Sequence, residues 1–478
     1  MSAEAPSETS TSRTVASHLA SHTAVRLRDK TVAVVGAGLA GLRAAWALRV
    51  AGAGVVVVES AADVGGKAVL ASRDGFAIDR SLQVLGFDDA HLLRWAREVD
   101  LESTLLPLRP VATAQLQRGR IVGCDARNLA EIARTPGVGW RDRARLLRLP
   151  RLMSRYAPLL DPLRPERAAD LDFRSVSDFA RLYLGGSMLE RFVGPRVAAE
   201  TLGDESELSR VAFLLHWHHS RWGRGRLGVA SAGLGTLAEA TSQALDVRTG
   251  LRAQQVKELP GGRLALECSG PRDAGRDETF EVDALVMATA ASEAGRICAS
   301  LVTPAERDFF AGVRFGPRIT LSVASDRPLT GLPQLVRIPH VEGRAIEVMV
   351  VEPGLAGGRA PEGTGLVTLS ATQRFAERHA NDDDERVERQ LLSGLEAILP
   401  RLAGSRRFSS LQRDPAGVPR FEVGAYNALA RFQKVQKDRR SLGRRLYFAG
   451  DYLGGPRFED AVASGARAAI SAISDLAS

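Results

Sequence analysis

The residues with the clearest chemical purpose lie near the start of the chain. Gly36-Ala37-Gly38-Leu39-Ala40-Gly41 spaces three glycines as GxGxxG, and an acid, Glu59, follows the next apolar run. This pattern suits a dinucleotide. Gly36 permits a tight turn, Gly38 leaves room for a pyrophosphate to approach the backbone, and Gly41 lets a helix lie close to a sheet. Leu39 and Ala40 lie between these glycines, in the turn that enters that helix, whose N-terminus offers unsatisfied N–H groups and a partial positive charge to phosphate. Glu59, with Ser60 beside it, stands where an acid accepts hydrogen bonds from ribose hydroxyls.

Such chemistry needs a strand, a turn, a helix and a second strand in that order. Thr31 to Val35 is a short β-branched run of the kind that forms a buried parallel strand. Leu42 to Ala51, rich in Ala, Leu and Arg, reads as the helix, and Gly52-Ala53-Gly54 ends it. Val55 to Val58 reads as the second strand. The acid alone does not separate one dinucleotide from another.

Beyond Glu59 comes Asp63-Val64-Gly65-Gly66-Lys67. An acid, a short gap and Gly-Gly-Lys resembles the extended flavin fingerprint of the flavin amine oxidases, phytoene desaturases and protoporphyrinogen oxidases. The resemblance implies FAD. Gly65 and Gly66 would bring a second backbone loop onto it, and Lys67 would counter phosphate charge. Gly75 to Asp79 resembles the short strand leading to the flavin, but Arg80-Ser81-Leu82-Gln83-Val84-Leu85 replaces the Gly-rich step usual there. Gly233 to Leu237 opens an Ala-rich helix to Leu245, and Val247 to Val256 reads as strand-like. The resemblance places the backbone of Val256 on the adenine side. Val282 to Ala290 resembles the strand that ends near the nucleotide. Leu446 to Tyr452, then Gly454-Gly455-Pro456 and Glu459 to Ala469, resemble the closing flavin motif. There Gly450 and Asp451 would meet the ribityl or phosphate part. Phe458 to Ala461 would aim a helix N-terminus at the pyrimidine edge, where reduction builds negative charge.

Three separated stretches forming one site imply an α/β fold with a discontinuous Rossmann-type FAD-binding domain, from residues 29–90, 225–300 and 410–478. Residues 91–224 and 301–409 would form a second, substrate-binding domain of mixed sheet and helix over the flavin. Residues 1–28 read as a disordered tail rich in Ser, Thr and Ala.

The substrate region reads mainly as helices up to residue 224, including Leu92 to Val99 and a basic stretch interrupted by Pro150. Residues 141–167 hold eight Arg against three acids. Either they form a solvated helix face with leucines inward, or they dock peripherally on an anionic membrane. Ser175 or Ser177 is placed to cap a helix. His216-Trp217-His218-His219 has the look of a metal site, but adjacent histidines do not share a helix face, so it reads as core or pocket lining without metal. Trp217 and Trp222 are candidates for the cavity wall. Arg318 stands where many amine oxidases carry a flavin-facing lysine. Gly417 to Gly424 resembles a Pro-x-x-x-x-Gly segment of protoporphyrinogen oxidases, followed here by Ala425 and Tyr426 rather than His. No catalytic side chain is singled out.

Net charge is +8, much of it local, which argues against a broad nucleic-acid face. Three cysteines without a CxxC pair fit a reducing, cytoplasmic compartment. No window has the apolar length of a membrane span. The expected activity is hydride removal from a bulky, largely apolar small molecule to flavin. The alternatives are an amine or amino-acid oxidase, or a flavin-binding chaperone or regulatory subunit without turnover.

Overall fold

The computed structural model describes residues 27–86, 89–101, 109–110, 112–124, 129–201, 203–219, 227–230, 233–270, 277–352 and 358–478. Trp222 and most of the N-terminal tail fall outside them.

The β-branched runs near the N-terminus sit in a five-stranded parallel sheet. Its order is Asp246–Arg248, Gly54–Val58, Thr31–Val35, Ala284–Met287 and Leu446–Phe448. Val32 to Val35 and Ala284 to Met287 are buried, as a parallel sheet covered on both faces requires. The helix Leu39–Val50 follows the glycine turn, and the long C-terminal helix Phe458–Ala477 packs against it. The contact is close because the missing side chain of Gly465 would run into the Ala40 carbonyl. An antiparallel meander, Arg252–Glu258, Leu264–Ser269 and Asp277–Val282, extends from this sheet.

The second sheet has seven strands in the order Arg406–Pro419, Phe315–Ser325, Gly365–Ala371, Ile346–Glu352, Leu335–Arg337, Thr113–Gln117 and Arg120–Gly123. The helix Asp384–Ile398 turns Val387, Leu391 and Leu395 onto the core of this sheet. Asp383 caps it by accepting from the Arg386 N–H at 3.3 Å, and Asp384 and Glu385 fill its first turn, so this acid run serves the helix terminus.

The structure departs from the sequence reading in several places. The first helix begins at Leu39 rather than Leu42. The run Val247 to Val256 is two strands in two sheets, separated at Gly250, whose φ of +68° turns the chain. Arg406–Pro419 belongs to the seven-stranded sheet, so the boundary placed at 410 moves toward residue 420. A hairpin, Thr113–Gln117 with Arg120–Gly123, interrupts the expected helices. The basic stretch breaks into Trp140–Arg145, Leu146–Arg148 and Leu149–Tyr156, with Pro150 opening the last piece. Leu146, Leu149 and Met153 face the core, while Trp140 and Leu147 are exposed. Ser175, not Ser177, caps the helix Val176–Tyr183, accepting from the Asp178 N–H at 3.1 Å. Among the described residues, no helix is long and apolar enough to cross a membrane.

His340 ties the sheet to the helical insertion. Its Nδ1 lies 3.2 Å from Glu205 and its Nε2 3.0 Å from Glu347. Hydrogen bonds to Glu205 and Glu347 push its pKa up to about 10. The pKa is raised on folding, so this stabilisation is complete below about pH 6.5 and is lost as pH rises through the folded value. His340→Gln is expected to lower Tm at pH 6. The deficit should narrow as both proteins are melted at rising pH, and a constant deficit would contradict the assignment.

Candidate active site

A cavity of about 910 Å³ opens at the C-terminal edge of the parallel sheet and runs to the seven-stranded sheet. Ligands of open α/β sheets bind at this edge.

The glycines shape one half of it. Gly36 has φ +104°, and a Cβ there would lie 2.6 Å from the Ala288 carbonyl oxygen. Gly38 lines the cavity, and a Cβ there would meet nothing within 4 Å, so it would project into open space. Leu39 and Ala40 also line it. Gly41 does not. Its missing side chain would strike the Gly36 carbonyl, so it sets the helix-to-turn distance. The second loop lies against the first: the Gly65 N–H donates to the Ala37 carbonyl at 2.8 Å, and Gly66 approaches Gly38. Glu59 is fixed at the strand end, accepting from the Ala37 N–H at 2.7 Å and the Ala61 N–H at 2.8 Å, with the Ser60 hydroxyl at 3.2 Å.

Segments far apart in sequence close this half. Lys67 Nζ pairs with Asp451 at 2.6 Å and sits 5.2 Å from the Phe315 ring centre. The Gly450 N–H donates to the Ser464 hydroxyl at 3.1 Å, anchoring the loop onto the C-terminal helix. Phe458 and Ala461, in the first turn of that helix, face the cavity. Arg457, just before it, is held by Asp460 at 2.7 Å and Asp89 at 3.4 Å, and these carboxylates outweigh its burial and raise its pKa.

Val256 is placed differently from the sequence expectation. It is buried in the core of the meander opposite Leu266, and the Ser300 hydroxyl occupies its carbonyl at 2.8 Å. Leu251, Arg252 and Ala253, at the start of that strand, reach the cavity instead. Trp217 also points away from the cavity, into a cluster with Phe192 and Phe213.

The other half has an aliphatic wall of Leu82, Val84, Ala199, Leu227, Leu335 and Val348. Arg196, Glu200, His216 and Arg337 face the same space. His216 Nδ1 lies 2.9 Å from Glu200 Oε2. Leu82 and Val84 come from the segment that departs from the family pattern. Gln83 pins it by accepting from the Leu234 N–H at 2.8 Å, so alternate residues turn toward the cavity. That alternation is visible in Ser81-Leu82-Gln83-Val84, whereas the pairing of His216 with Glu200 leaves no local signal. Arg318 donates to the Gly417 carbonyl at 2.8 Å. Burial lowers its pKa, opposed by Asp414 and Asp451.

The glycine turn and the strand-end acid form a dinucleotide-type site that opens into the two-sheet cavity. Residues 39–473 match the model of the flavin containing amine oxidoreductases, and the chain belongs to that family. It is 29% identical over 189 residues to the coproporphyrinogen III oxidase of Propionibacterium freudenreichii subsp. freudenreichii, covering 38% of this chain and 33% of that protein. The match thus spans about a third of the relative's length. Among solved structures, putrescine oxidase bound to putrescine superposes with a TM-score of 0.74 at 18% identity, over 93% of this chain and 99% of that one. Cyclohexylamine oxidase from Brevibacterium oxydans IH-35A gives 0.71 at 17%, over 94% and 99%. A candidate protoporphyrinogen oxidase from Exiguobacterium sp. 255-15 gives 0.69 at 16%, over 93% and 98%. At these identities the structures share the fold.

Two glycine variants separate cofactor room from packing. Gly38→Val is expected to fold with a near-normal Tm yet purify with little flavin. Gly41→Ala is expected to lose about 1–3 kcal/mol of stability through overpacking. Equal flavin content in Gly38→Val and the unaltered protein would contradict the assignment of that space.

Proposed function

We propose that this protein is an FAD-dependent oxidase that acts on a bulky, largely apolar small molecule of the porphyrinogen class. The carrying observation is the aliphatic second half of the cavity, from Leu82 and Val84 to Leu335 and Val348, continuous with the glycine-lined half. A wall of this kind buries a large apolar surface, worth about 25 cal/mol per Å² removed from water. The partial likeness to a coproporphyrinogen III oxidase supports the same reading.

The open space at Gly38, beside the Gly65–Gly66 loop, fits the pyrophosphate of FAD. Leu39, Ala40 and the first helix would present N–H groups and a positive helix end to it. Glu59 would accept from the ribose, with Ser60 alongside. Lys67 and Asp451, already paired, would face the phosphates and the ribityl chain. Phe458 and Ala461 would present the C-terminal helix to the pyrimidine edge. When bound, the flavin supplies the hydride acceptor, and oxygen or a quinone-like molecule would restore it. The chain's task is then to orient the substrate and exclude water.

Arg318 separates this reading from an amine oxidase. A guanidinium stays protonated and cannot take over the proton-accepting role of a neutral lysine amine. The test is anaerobic mixing of the flavin-loaded protein with a porphyrinogen panel and with putrescine and other amines. The expected result is bleaching by a porphyrinogen at least about 100-fold faster than by any amine, a preference of the size a shaped apolar pocket gives. Preferential bleaching by an amine would overturn the proposal.

A further inference from the structure

Next to the main cavity lies a second, smaller one of about 30 Å³, bordered by Tyr426, Thr201, Gly454 and Asp460. It has room for about two waters, since one needs roughly 10–15 Å³. Four residues line both spaces: Glu200, His216, Pro456 and Arg457. The wall between a substrate-sized cavity and a water-sized one is therefore made partly of an imidazole and a carboxylate in contact.

We infer that His216 and Glu200 form a proton-transfer station that takes a proton from the substrate and passes it to water in the small cavity. The inference rests on the functional reading above. His216 Nδ1 lies 2.9 Å from Glu200 Oε2, close enough for the carboxylate to stabilise the imidazolium that forms when the ring takes up a proton. The pair sits against Pro456 and Arg457, immediately before the helix whose first turn faces the cavity at Phe458.

The chemistry balances. Each two-electron oxidation of a porphyrinogen breaks one C–H bond, whose hydrogen and electron pair leave together for the flavin. It also breaks one N–H bond, whose electron pair stays behind and forms the new C=N bond. The remaining proton needs an acceptor. The aliphatic wall offers none, whereas His216 does, and Glu200 stabilises the imidazolium that results.

The surroundings keep Glu200 available in its charged form. Desolvation acts to raise its pKa, but His216 across the contact, Arg337 from the seven-stranded sheet and Arg196 from its own helix together lower it. Arg457, itself held by Asp460 and Asp89, faces Glu200 from the C-terminal segment. Tyr426 borders the small cavity with a pKa raised well above its ordinary value by burial, so it stays protonated and does not compete.

The experiment compares the unaltered, flavin-loaded full chain with His216→Gln, His216→Gly and Glu200→Gln. The readout is the rate of anaerobic flavin bleaching by a porphyrinogen across pH. The unaltered enzyme is expected to speed up as pH rises, because a base must be unprotonated to accept the proton. His216→Gln should lower the rate by about 100- to 10,000-fold and flatten the rise, the usual contribution of a positioned base. Glu200→Gln should lower it less. Added imidazole should restore rate to His216→Gly, which a packing role would not allow. Flavin content and reduction by dithionite should match across the set, which controls for misfolding. Unchanged rates and pH profile in His216→Gln, or no rescue by imidazole, would overturn the station alone. No bleaching of the unaltered enzyme by any porphyrinogen would overturn both this inference and the functional reading.

Discussion

The architecture depends on how closely three backbones approach one another. The C-terminal helix can lie on the first helix only because Gly465 has no side chain to meet the Ala40 carbonyl. The first helix can sit on its turn only because Gly41 has none to meet the Gly36 carbonyl. Gly36 in turn fits under Ala288 only with φ near +104°. These approaches bring residues separated by more than 400 positions into one wall, and the Lys67–Asp451 pair closes it. Added methyl groups along this line would be resisted by backbone atoms, which cannot turn aside as a side chain can.

The two sheets divide the work by the way each is buried. The parallel sheet is covered on both faces and ends in loops, so it contributes backbone groups, glycines and the fixed Glu59 carboxylate. The seven-stranded mixed sheet packs one face on the helix Asp384–Ile398 and gives Leu335, Val348 and Arg337 to the cavity from the strands it leaves uncovered there. Charged residues cluster where the two halves meet, and the carboxylates of Asp89, Glu200 and Asp460 balance the arginines beside them. Burial of so many ionisable groups is costly unless each has a partner, so positioning and stability are linked at this seam.

Local periodicity made the glycine-lined half legible. Thr31 to Glu59 reads directly as strand, turn, helix, strand and acid, and the structure places Gly36, Gly38, Glu59, Ser60 and Lys67 around one cavity. The C-terminal motif was equally readable, because Gly450 and Asp451 directly follow a short strand and Phe458 starts a helix, both with strong sequence signals. Val256 was misplaced because one strand-like segment covers two strands, and its pattern carries no mark of the turn at Gly250 beyond the glycine itself. The aliphatic half was hardest to read. Glu200 and His216 are on different helices, and Leu82 and Val84 are on a segment with no regular structure, so only tertiary packing brings them together.

The most direct test of the central claim is the visible absorption spectrum of the purified full chain, before and after incubation with FAD and removal of excess. The account predicts an oxidised-flavin spectrum corresponding to about one FAD per chain, with the nucleotide released on denaturation. A colourless protein that also fails to retain added FAD would contradict it, and the cavity between Gly38 and Asp451 would then need a different occupant.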